Sequence, residues 1–237
     1  MKLLNLEHTF NVKHKINQIP SDYHFNFIIN EPHLVNAKGK LLAAYYLPSW
    51  DCAEIRDVAL SIAYETKQIA GVTTQSVQFG YQVNGPTHFT RKHKDKFKVI
   101  SDYAEYIAAA YRYTFPDVFK AQTEAVNKSI PDRWRLNNTI FTNGIINYCN
   151  VLPYHYDVGN FEGACTCVLT LSHNIKGGYL VFPKLRVAFE PKDCSIAIFD
   201  GYYLLHGVTP FRKLSEDAYR ITIVYYTMKE VSNLQRA

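Results

Sequence analysis

From residue 136 onward the chain is a succession of short apolar segments separated by turn residues, and this feature limits its fold more than any other. The segments have the length and the β-branched and aromatic content of strands: FTNGIINYC, ACTCVLTLS, GGYLVFP, RVAFEP, SIAIFD and YRITIVYYTM. Many short strands bury their apolar faces by forming two facing sheets. The pattern predicts a double-stranded β-helix, a jelly-roll or cupin-like barrel, over residues 136–230.

The first 135 residues are predicted to form a mostly helical support with one or two strands. Pro20, Pro32 and Pro48 interrupt the first fifty residues, which are expected to be irregular. Apolar residues at helical spacing predict a helix over 52–70, with Gly71 as its C-cap. The other elements predicted here are a strand over 72–83, closed by an Asn-Gly-Pro turn, and helices over 102–112 and 118–128.

The composition favours one α+β domain over residues 1–237. With 47% hydrophobic residues, a chain of 237 residues buries one sizeable core. It has no apolar run of membrane-span length, and its N-terminus lacks the run of a signal peptide. We therefore expect a soluble, intracellular protein without a membrane partner, in the cytoplasm (of the host, if viral) or in the nucleus of a eukaryote.

The five cysteines are an odd number, which argues against a disulfide framework. Cys165 and Cys167 alternate with Leu169 and Leu171 on one face of a predicted strand. Buried thiols explain this pattern better than a zinc site does.

His155 and Asp157 are the first candidates for chemistry. On a strand, side chains at i and i+2 point the same way, so the imidazole and the carboxylate are expected to converge. His206, at the end of the apolar run SIAIF, is the candidate third ligand. Two imidazoles and one carboxylate on one face of an octahedral ion leave three positions open, as in non-haem iron(II) oxygenases. An isolated H-x-D pair is often merely packed or solvated, so residues downstream decide between the two interpretations.

Arg220 and Thr222 follow in the segment AYRITIVYY and share one strand face. Arginine supplies a permanently charged fork of donors that binds a carboxylate through two hydrogen bonds. Because the segment is expected to be buried, a surface salt bridge explains Arg220 less well than a bound anion does. Together with the His-Asp-His set, these residues predict an iron(II) oxygenase that uses dioxygen and the dicarboxylate 2-oxoglutarate.

The strings HYDVGNFEGACTCVLTL, GGYLVFPKLRVAFEP and IFDGYYLLHGVTPF, followed by R-x-T, resemble the TET and J-binding-protein family. Its members are iron(II)- and 2-oxoglutarate-dependent oxygenases that oxidise the 5-methyl group of methylcytosine or thymine in nucleic acid. The resemblance implies that His155, Asp157 and His206 are the catalytic iron ligands. It also implies that Arg220 and Thr222 bind the cosubstrate.

Two further elements of the resemblance concern other residues. The motif H-x-D-x-x-N adds Asn160, for which the family implies a contact with the flipped-out pyrimidine. The Asn-x-Tyr element of such oxygenases is present only as the adjacent pair Asn147 and Tyr148, which are the implied cosubstrate contacts despite this departure. Asp193-Cys194 stands where many relatives have a glycine turn, which implies an altered loop.

DNA is the expected partner. The net charge is +5 and the pI is about 8.8. The run RKHKDKFK over 91–98 holds five basic residues and one acid, which favours phosphate contact through Arg91 and its neighbours. A solvated loop explains the run nearly as well. A methyl group in a duplex cannot reach a buried metal, so the base is expected to be flipped out or single-stranded.

The expected reaction is oxidation of 5-methylcytosine to 5-hydroxymethylcytosine in DNA, with thymine as the second substrate considered. The preference is small, because the rotatable amide of Asn160 can match either base edge. An oxygenase with the same centre that hydroxylates a protein side chain or a small metabolite is the alternative. A binding module without catalysis is a third, disfavoured by the four intact residues His155, Asp157, His206 and Arg220.

Overall fold

The structure is a computed structural model that describes residues 1–12, 15–69 and 71–231. Four α-helices lie in the described part of the N-terminal half: α1 (Ala53–Leu60), α2 (His88–Lys92), α3 (Lys94–Thr114) and α4 (Pro116–Ser129). The strands are β1 (Lys2–Leu6), β2 (Phe27–Ile29), β3 (His33–Ala37), β4 (Lys40–Tyr46), β5 (Glu65–Ile69), β6 (Val72–Gln82), β7 (Gly85–Pro86), β8 (Asn143–Tyr148), β9 (Leu152–His155), β10 (Thr166–His173), β11 (Ile175–Gly177), β12 (Leu180–Phe182), β13 (Val187–Phe189), β14 (Ser195–Phe199), β15 (His206–Val208), β16 (Phe211–Lys213) and β17 (Tyr219–Tyr226).

Two facing sheets form the barrel. The larger has the order β1-β3-β4-β14-β10-β17-β8-β6-β5, with β7 paired to β6. The smaller has the order β2-β13-β12-β15-β9, and β11 pairs with β16 as a separate ribbon. Together with the helices, this arrangement confirms an α+β double-stranded β-helix, as the run of short strands predicted.

The larger sheet uses its two faces differently. Along β10, residues Cys167, Leu169 and Leu171 lie in the apolar core that the sheet shares with α1, α3 and α4. Along the same strand, Thr166 and Thr170 point to the opposite face, because side chains alternate across a strand. The helices therefore cover one face of the sheet and leave the other face to line a cavity inside the barrel.

The prediction that the first fifty residues are irregular is wrong, because β1 to β4 lie there. Strand β4 lies between β3 and β14 in the larger sheet. Ala43, Ala44 and Tyr45 are all buried, because apolar core covers both faces of the strand. A strand buried on both faces loses the alternation of polar and apolar residues by which strands are recognised. The N-terminal region therefore contributes seven strands rather than the one or two predicted.

The predicted helix over 52–70 is half helix and half hairpin. Helix α1 ends at Leu60, and β5 then pairs antiparallel with β6. Gly71, with φ of +79°, lies in the tight hairpin connection rather than at a helix C-cap. Residue 70 is outside the described residues. The segment ETKQI is polar at four of its five positions, so neither a helical nor a strand period marks it, and its pairing with β6 decides its structure.

The remaining predicted elements are present with shifted ends. The strand predicted over 72–83 is β6, and the predicted helix over 102–112 lies in the C-terminal half of α3. The predicted helix over 118–128 lies within α4, which begins at Pro116 because proline is favoured in the first turn of a helix. The basic run over 91–98 is helical, in α2 and α3, and is not a loop.

The cysteines follow the expectation only in part. Cys165 and Cys167 are buried free thiols, as the alternation predicted. Cys52 and Cys194, however, are joined by a disulfide between the start of α1 and the turn before β14. The odd number of cysteines therefore did not exclude a disulfide. Cys194 has φ of 59°, which is the backbone conformation of the glycine that its turn position favours. Among the described residues, none of the helices is both long enough and apolar enough to cross a membrane.

Candidate active site

A cavity of about 370 Å³ lies between the two sheets. Its walls come from the inner faces of β8, β10 and β17 on one side and from β9 and β15 on the other. His155, Asp157 and His206 lie at one part of the wall, and Arg220 and Thr222 lie at another. Both groups of predicted residues thus face the same enclosed space.

The His-Asp-His set converges as predicted, although two of its members are positioned differently than expected. His155 ends β9 and His206 begins β15, where the two residues are directly opposite in the antiparallel pair. His206 is thus carried by its own strand and not by the end of SIAIF. Asp157 lies in the turn after β9, where its N–H donates to the carbonyl of Gly201 at 2.9 Å.

The ligand atoms of the three residues point at one another. The Asp157 Oδ1 atom is 3.7 Å from His155 Nε2 and 3.6 Å from His206 Nε2. All three ligand atoms lie within 4.8 Å of one another. These separations are too long for hydrogen bonds and fit three atoms around a shared ion.

The protonation of the two imidazoles leaves a place for a cation. His155 Nδ1 lies 2.8 Å from the carbonyl of Pro153, and His206 Nδ1 lies 2.9 Å from that of Leu204. A carbonyl only accepts, so each Nδ1 carries the proton and each Nε2 presents a lone pair. Burial lowers the pKa of His206 to about 4, which keeps it neutral near pH 7. Two lone pairs and a carboxylate face one another without a proton between them, and a metal ion such as iron(II) fits this donor set.

Asp157 is oriented by a small polar network. The Thr166 hydroxyl donates to Asp157 Oδ2 at 2.7 Å, and the Asn160 amide donates to the Thr166 oxygen at 2.7 Å. Gly201 lies against the same carboxylate so closely that a Cβ there would overlap Asp157 Oδ2 and Thr166 Oγ1. The network leaves Asp157 Oδ1 directed at the two histidines.

Arg220 forms the cationic part of the cavity. Its guanidinium is 3% exposed, and Nε donates to the carbonyl of Gly178 at 3.0 Å. Burial lowers its pKa to about 10, so the group remains charged. Among the described residues no carboxylate lies within ion-pair distance of it. A buried cation without a counter-ion is costly, so this site fits a bound anion such as a carboxylate of 2-oxoglutarate.

Thr222 and Asn147 lie beside Arg220 on the neighbouring inner surface. They are opposite each other in the β17–β8 pair, and the Asn147 amide lies 3.4 Å from the Thr222 hydroxyl. Asn150 donates to Asn147 Oδ1 at 3.1 Å and is itself clamped to the backbone of Gln75 in β6. Asn147 is therefore held in a fixed orientation at the cavity wall.

Two residues predicted for the site do not line the cavity. Tyr148 follows Asn147 on β8 and so points to the opposite face, where it stacks on Tyr64 with ring centroids 5.1 Å apart. Arg91 is exposed on α2, and its guanidinium donates to the carbonyl of Pro86 at 2.7 Å. Within the same run, Lys98 pairs with Asp102 and Lys96 donates to the carbonyl of Ser61.

Several residues that line the cavity were not predicted for the site, and Thr166, Tyr226 and Met228 are the ones that bear on its chemistry. Thr166 was detectable, because it alternates with Cys165 and Cys167, whose face was predicted to be buried away from the site. Tyr226 and Met228 extend the inner face of β17 beyond Thr222. Burial, with a smaller effect of the Asp157 charge, raises the pKa of Tyr226 to about 12, so its hydroxyl is a hydrogen-bond donor.

A two-sheet barrel that encloses a His-Asp-His set and an unpaired arginine defines an iron- and 2-oxoglutarate-dependent oxygenase. The sequence profile of the Tet_JBP family, described as the oxygenase domain of the 2OGFeDO superfamily, matches residues 79–229. The chain belongs to this family, as its motifs indicated.

Sequence and structure comparisons give individual relatives. The thymine dioxygenase JBP1 of Leishmania major is 32% identical over 143 residues, which are 59% of this chain and 17% of that protein. The bifunctional helicase and thymine dioxygenase JBP2 of Trypanosoma brucei brucei is 25% identical over 231 residues, 90% of this chain and 21% of that protein. The chain therefore matches a minor part of each relative. The solved structure of NgTET1 in complex with 5mC DNA has the same fold, with a TM-score of 0.64, 13% identity and coverage of 88% of this chain and 84% of that one.

Proposed function

We propose that this protein uses iron(II), 2-oxoglutarate and dioxygen to oxidise the 5-methyl group of a pyrimidine in DNA. The observation that carries the proposal is the pairing of two unsatisfied groups in one cavity. Three lone-pair donors converge at His155, Asp157 and His206, and an unpaired buried guanidinium lies at Arg220. Each group needs a partner of opposite charge, and a metal ion with a bound dicarboxylate supplies both.

The residues of the chain act by binding and orienting. When bound, iron(II) and 2-oxoglutarate supply the activation of dioxygen, with release of succinate and carbon dioxide. His155, Asp157 and His206 would hold the metal on one face, and Arg220 with Thr222 would hold the distal carboxylate. Asn147 would contact the same cosubstrate. The protein thus fixes the positions of the reactants and excludes water from them.

The pyrimidine is proposed to enter beside Asn160, Tyr226 and Met228. Their side chains line the cavity near Asp157, and backbone pairing of Asn160 with Met228 joins the two segments. The Asn160 amide and the Tyr226 hydroxyl can hydrogen-bond the polar edge of a base. The Tyr226 ring and the Met228 thioether give the base an apolar surface. The base would be flipped out of a duplex or taken from a single strand, since the cavity is enclosed.

The choice between methylcytosine and thymine has support on both sides. 5-Methylcytosine is the expected substrate by a small margin, whereas the matched relatives from Leishmania and Trypanosoma are named thymine dioxygenases. The two bases differ in one donor and one acceptor, and the Asn160 amide matches the second base only by rotating, which breaks its hydrogen bond to Thr166. Both bases are therefore included in the test.

The proposal is tested by incubating the protein with iron(II), 2-oxoglutarate, air and DNA that contains 5-methylcytosine or thymine. Nucleosides are analysed by mass spectrometry, and succinate is measured in parallel. We expect a gain of one oxygen on one of the two bases, matched by succinate. Succinate that forms while every base stays unchanged, and that increases with peptides or metabolites, would refute the DNA substrate and favour the side-chain or metabolite hydroxylase.

A further inference from the structure

A chain of alternating cations and aromatic rings lies beside the metal-ligand end of the cavity. We call it the cation–aromatic rim, and it consists of Lys40, Lys184, Arg186, Tyr203 and Phe10. The Lys184 Nζ atom is 3.7 Å from the centroid of the Tyr203 ring, and Lys40 Nζ is 5.6 Å from it. The Arg186 guanidinium lies 4.4 Å from the Phe10 ring centroid, and the Phe10 N–H donates to the carbonyl of Lys184. Four separate segments of the chain therefore meet in one surface.

The position of this rim is fixed by the site itself. Gly201, two residues before Tyr203, lies against the Asp157 carboxylate and accepts the Asp157 N–H. His206 follows Tyr203 by three residues, so their Cα atoms are separated by at most about 11 Å. Tyr203 is 51% exposed and Phe10 is 41% exposed. Tyr203 is therefore close along the chain to two residues of the metal-ligand site, and its ring, like that of Phe10, faces solvent.

The cations of the rim have no directly paired acidic partner among the described residues, and Asp200 is the acid that interacts electrostatically with Lys40. Within the described ranges, no carboxylate lies within 4.0 Å of Lys40, Lys184 or Arg186, whereas Lys2, Arg56 and Lys98 each have an acidic partner. The nearest acid to Tyr203 along the chain is Asp200, whose Oδ1 accepts the Tyr203 N–H at 3.0 Å. Lys40 and Arg186 are exposed and Lys184 is half-buried, and cations that rest on aromatic rings keep their charge and are available to an anion.

We propose that the cation–aromatic rim binds the phosphate backbone that flanks the pyrimidine in the cavity. The inference rests on the proposed function, because a flipped or single-stranded base leaves its flanking phosphates at the entrance. Lysine and arginine bind phosphates without regard to sequence, and an exposed tyrosine offers a ring on which a base can stack. The run over 91–98, by contrast, belongs to α2 and α3, and α3 packs on the helical face of the larger sheet.

The test compares two variants that each lose two positive charges. Lys40→Ala/Lys184→Ala removes the pair on Tyr203, and Lys92→Ala/Lys94→Ala removes two exposed cations of the 91–98 run. Duplex DNA binding is measured with iron(II) and 2-oxoglutarate bound and dioxygen excluded, over a range of salt concentrations. For the rim variant, the slope of log Kd against log salt is expected to decrease by about 2, since each phosphate contact contributes about 0.9. The control variant should keep the wild-type slope.

The outcomes separate the rim from the proposed function. Equal slopes for the two variants, or no DNA binding by the wild type, would overturn the proposal that the rim binds phosphates. If the wild type oxidises a pyrimidine and the rim variant binds DNA normally, the proposed function stands and the proposed role of the rim is rejected. If DNA binds through the rim but no base is oxidised, the proposed role of the rim stands and the proposed function is refuted. Displacement of DNA by polyglutamate as readily as by unlabelled DNA would identify a surface for acidic polypeptides and overturn the assignment to nucleic acid.

Discussion

The two charged groups of the cavity are built in opposite ways. At the metal-ligand end, backbone carbonyls orient His155 and His206, and Thr166 orients Asp157, so the ligand geometry is complete before anything binds. At the other end, the Arg220 side chain donates to one backbone carbonyl, and no carboxylate in the described part of the chain pairs with its charge. A metal that stays bound through many turnovers benefits from ligands that are already oriented. A cosubstrate that is consumed in each turnover binds best where its own carboxylate neutralises an unpaired charge.

The largest effect is expected from breaking the metal-ligand end. His206→Ala removes one of three ligands from a buried position and should abolish both iron binding and turnover. Iron binding is measured by anaerobic titration, with His173→Ala, an exposed histidine of β10, as the control. Normal iron binding and activity in the His206 variant would refute the assignment of the triad.

Replacing Arg220 at the other end should weaken binding of the cosubstrate and leave metal binding unchanged. Arg220→Met removes charge-assisted hydrogen bonds worth about 1.5–3 kcal/mol, so KM for 2-oxoglutarate should rise about 100-fold while iron affinity is retained. Arg212→Met, at an exposed position of β16, is the control for loss of charge. If KM is unchanged, the unpaired guanidinium is not the cosubstrate site.

The orientation of Asp157 is tested by adding one carbon atom. Gly201→Ala places a methyl group against Asp157 and Thr166, and we expect iron affinity to fall about 10- to 100-fold, as for other residues that orient metal ligands. Gly159→Ala is the matched control, because no atom lies within 4 Å of the added carbon. Equal affinities in the two variants would show that the carboxylate does not depend on this packing.

A smaller effect separates the two possible roles of Asn160. Thr166→Val removes the hydroxyl that orients Asp157, so it should lower base oxidation and uncoupled 2-oxoglutarate decay alike. Asn160→Ala should lower base oxidation about tenfold, as expected for one hydrogen bond, with less effect on uncoupled decay. If both variants lower the two rates in parallel, Asn160 acts through Thr166 and Asp157 and does not read the base.

The smallest effect concerns the metal-free protein. Since burial lowers the pKa of His206 to about 4, below the ordinary value of 6.5, the unfolded chain takes up the proton first as the pH falls. Stability that is present above pH 6.5 should decline toward pH 4, by about 2 kcal/mol between pH 7 and pH 5. Urea denaturation of the wild type and of His206→Gln measures this. A variant with the same decline as the wild type would contradict the burial of a neutral His206.

Part of the site could be predicted from strand alternation. Arg220 and Thr222 share one face of β17 and line the cavity, whereas Asp157 lies beyond the end of β9 and converges with His155 because its backbone is held against Gly201. Alternation also allows only one of the neighbours Asn147 and Tyr148 to face inward, but the sequence does not reveal which. The register with β17, which places Asn147 opposite Thr222, decides it.

Other features depend on contacts between distant segments and had no sequence signal. Strand β4 is covered on both faces by the fold, so its residues do not alternate. The predicted helix over 52–70 has helical spacing, yet its second half forms a hairpin because β6 offers it a partner. Lys40, at the start of β4, meets Lys184 and Tyr203 only when the barrel is assembled. The conspicuous basic run lies on two helices, where Lys98 is paired with Asp102.

The most direct test of the central claim is to place deuterium on the reacting carbon. DNA that carries thymine or 5-methylcytosine with a trideuterated 5-methyl group is incubated with iron(II), 2-oxoglutarate and air, and then digested to nucleosides for mass spectrometry. Oxidation of the methyl group predicts a base that gains one oxygen and retains two of the three deuterium atoms. An oxidised base that retains all three, or an unchanged base in the presence of succinate, would contradict the account.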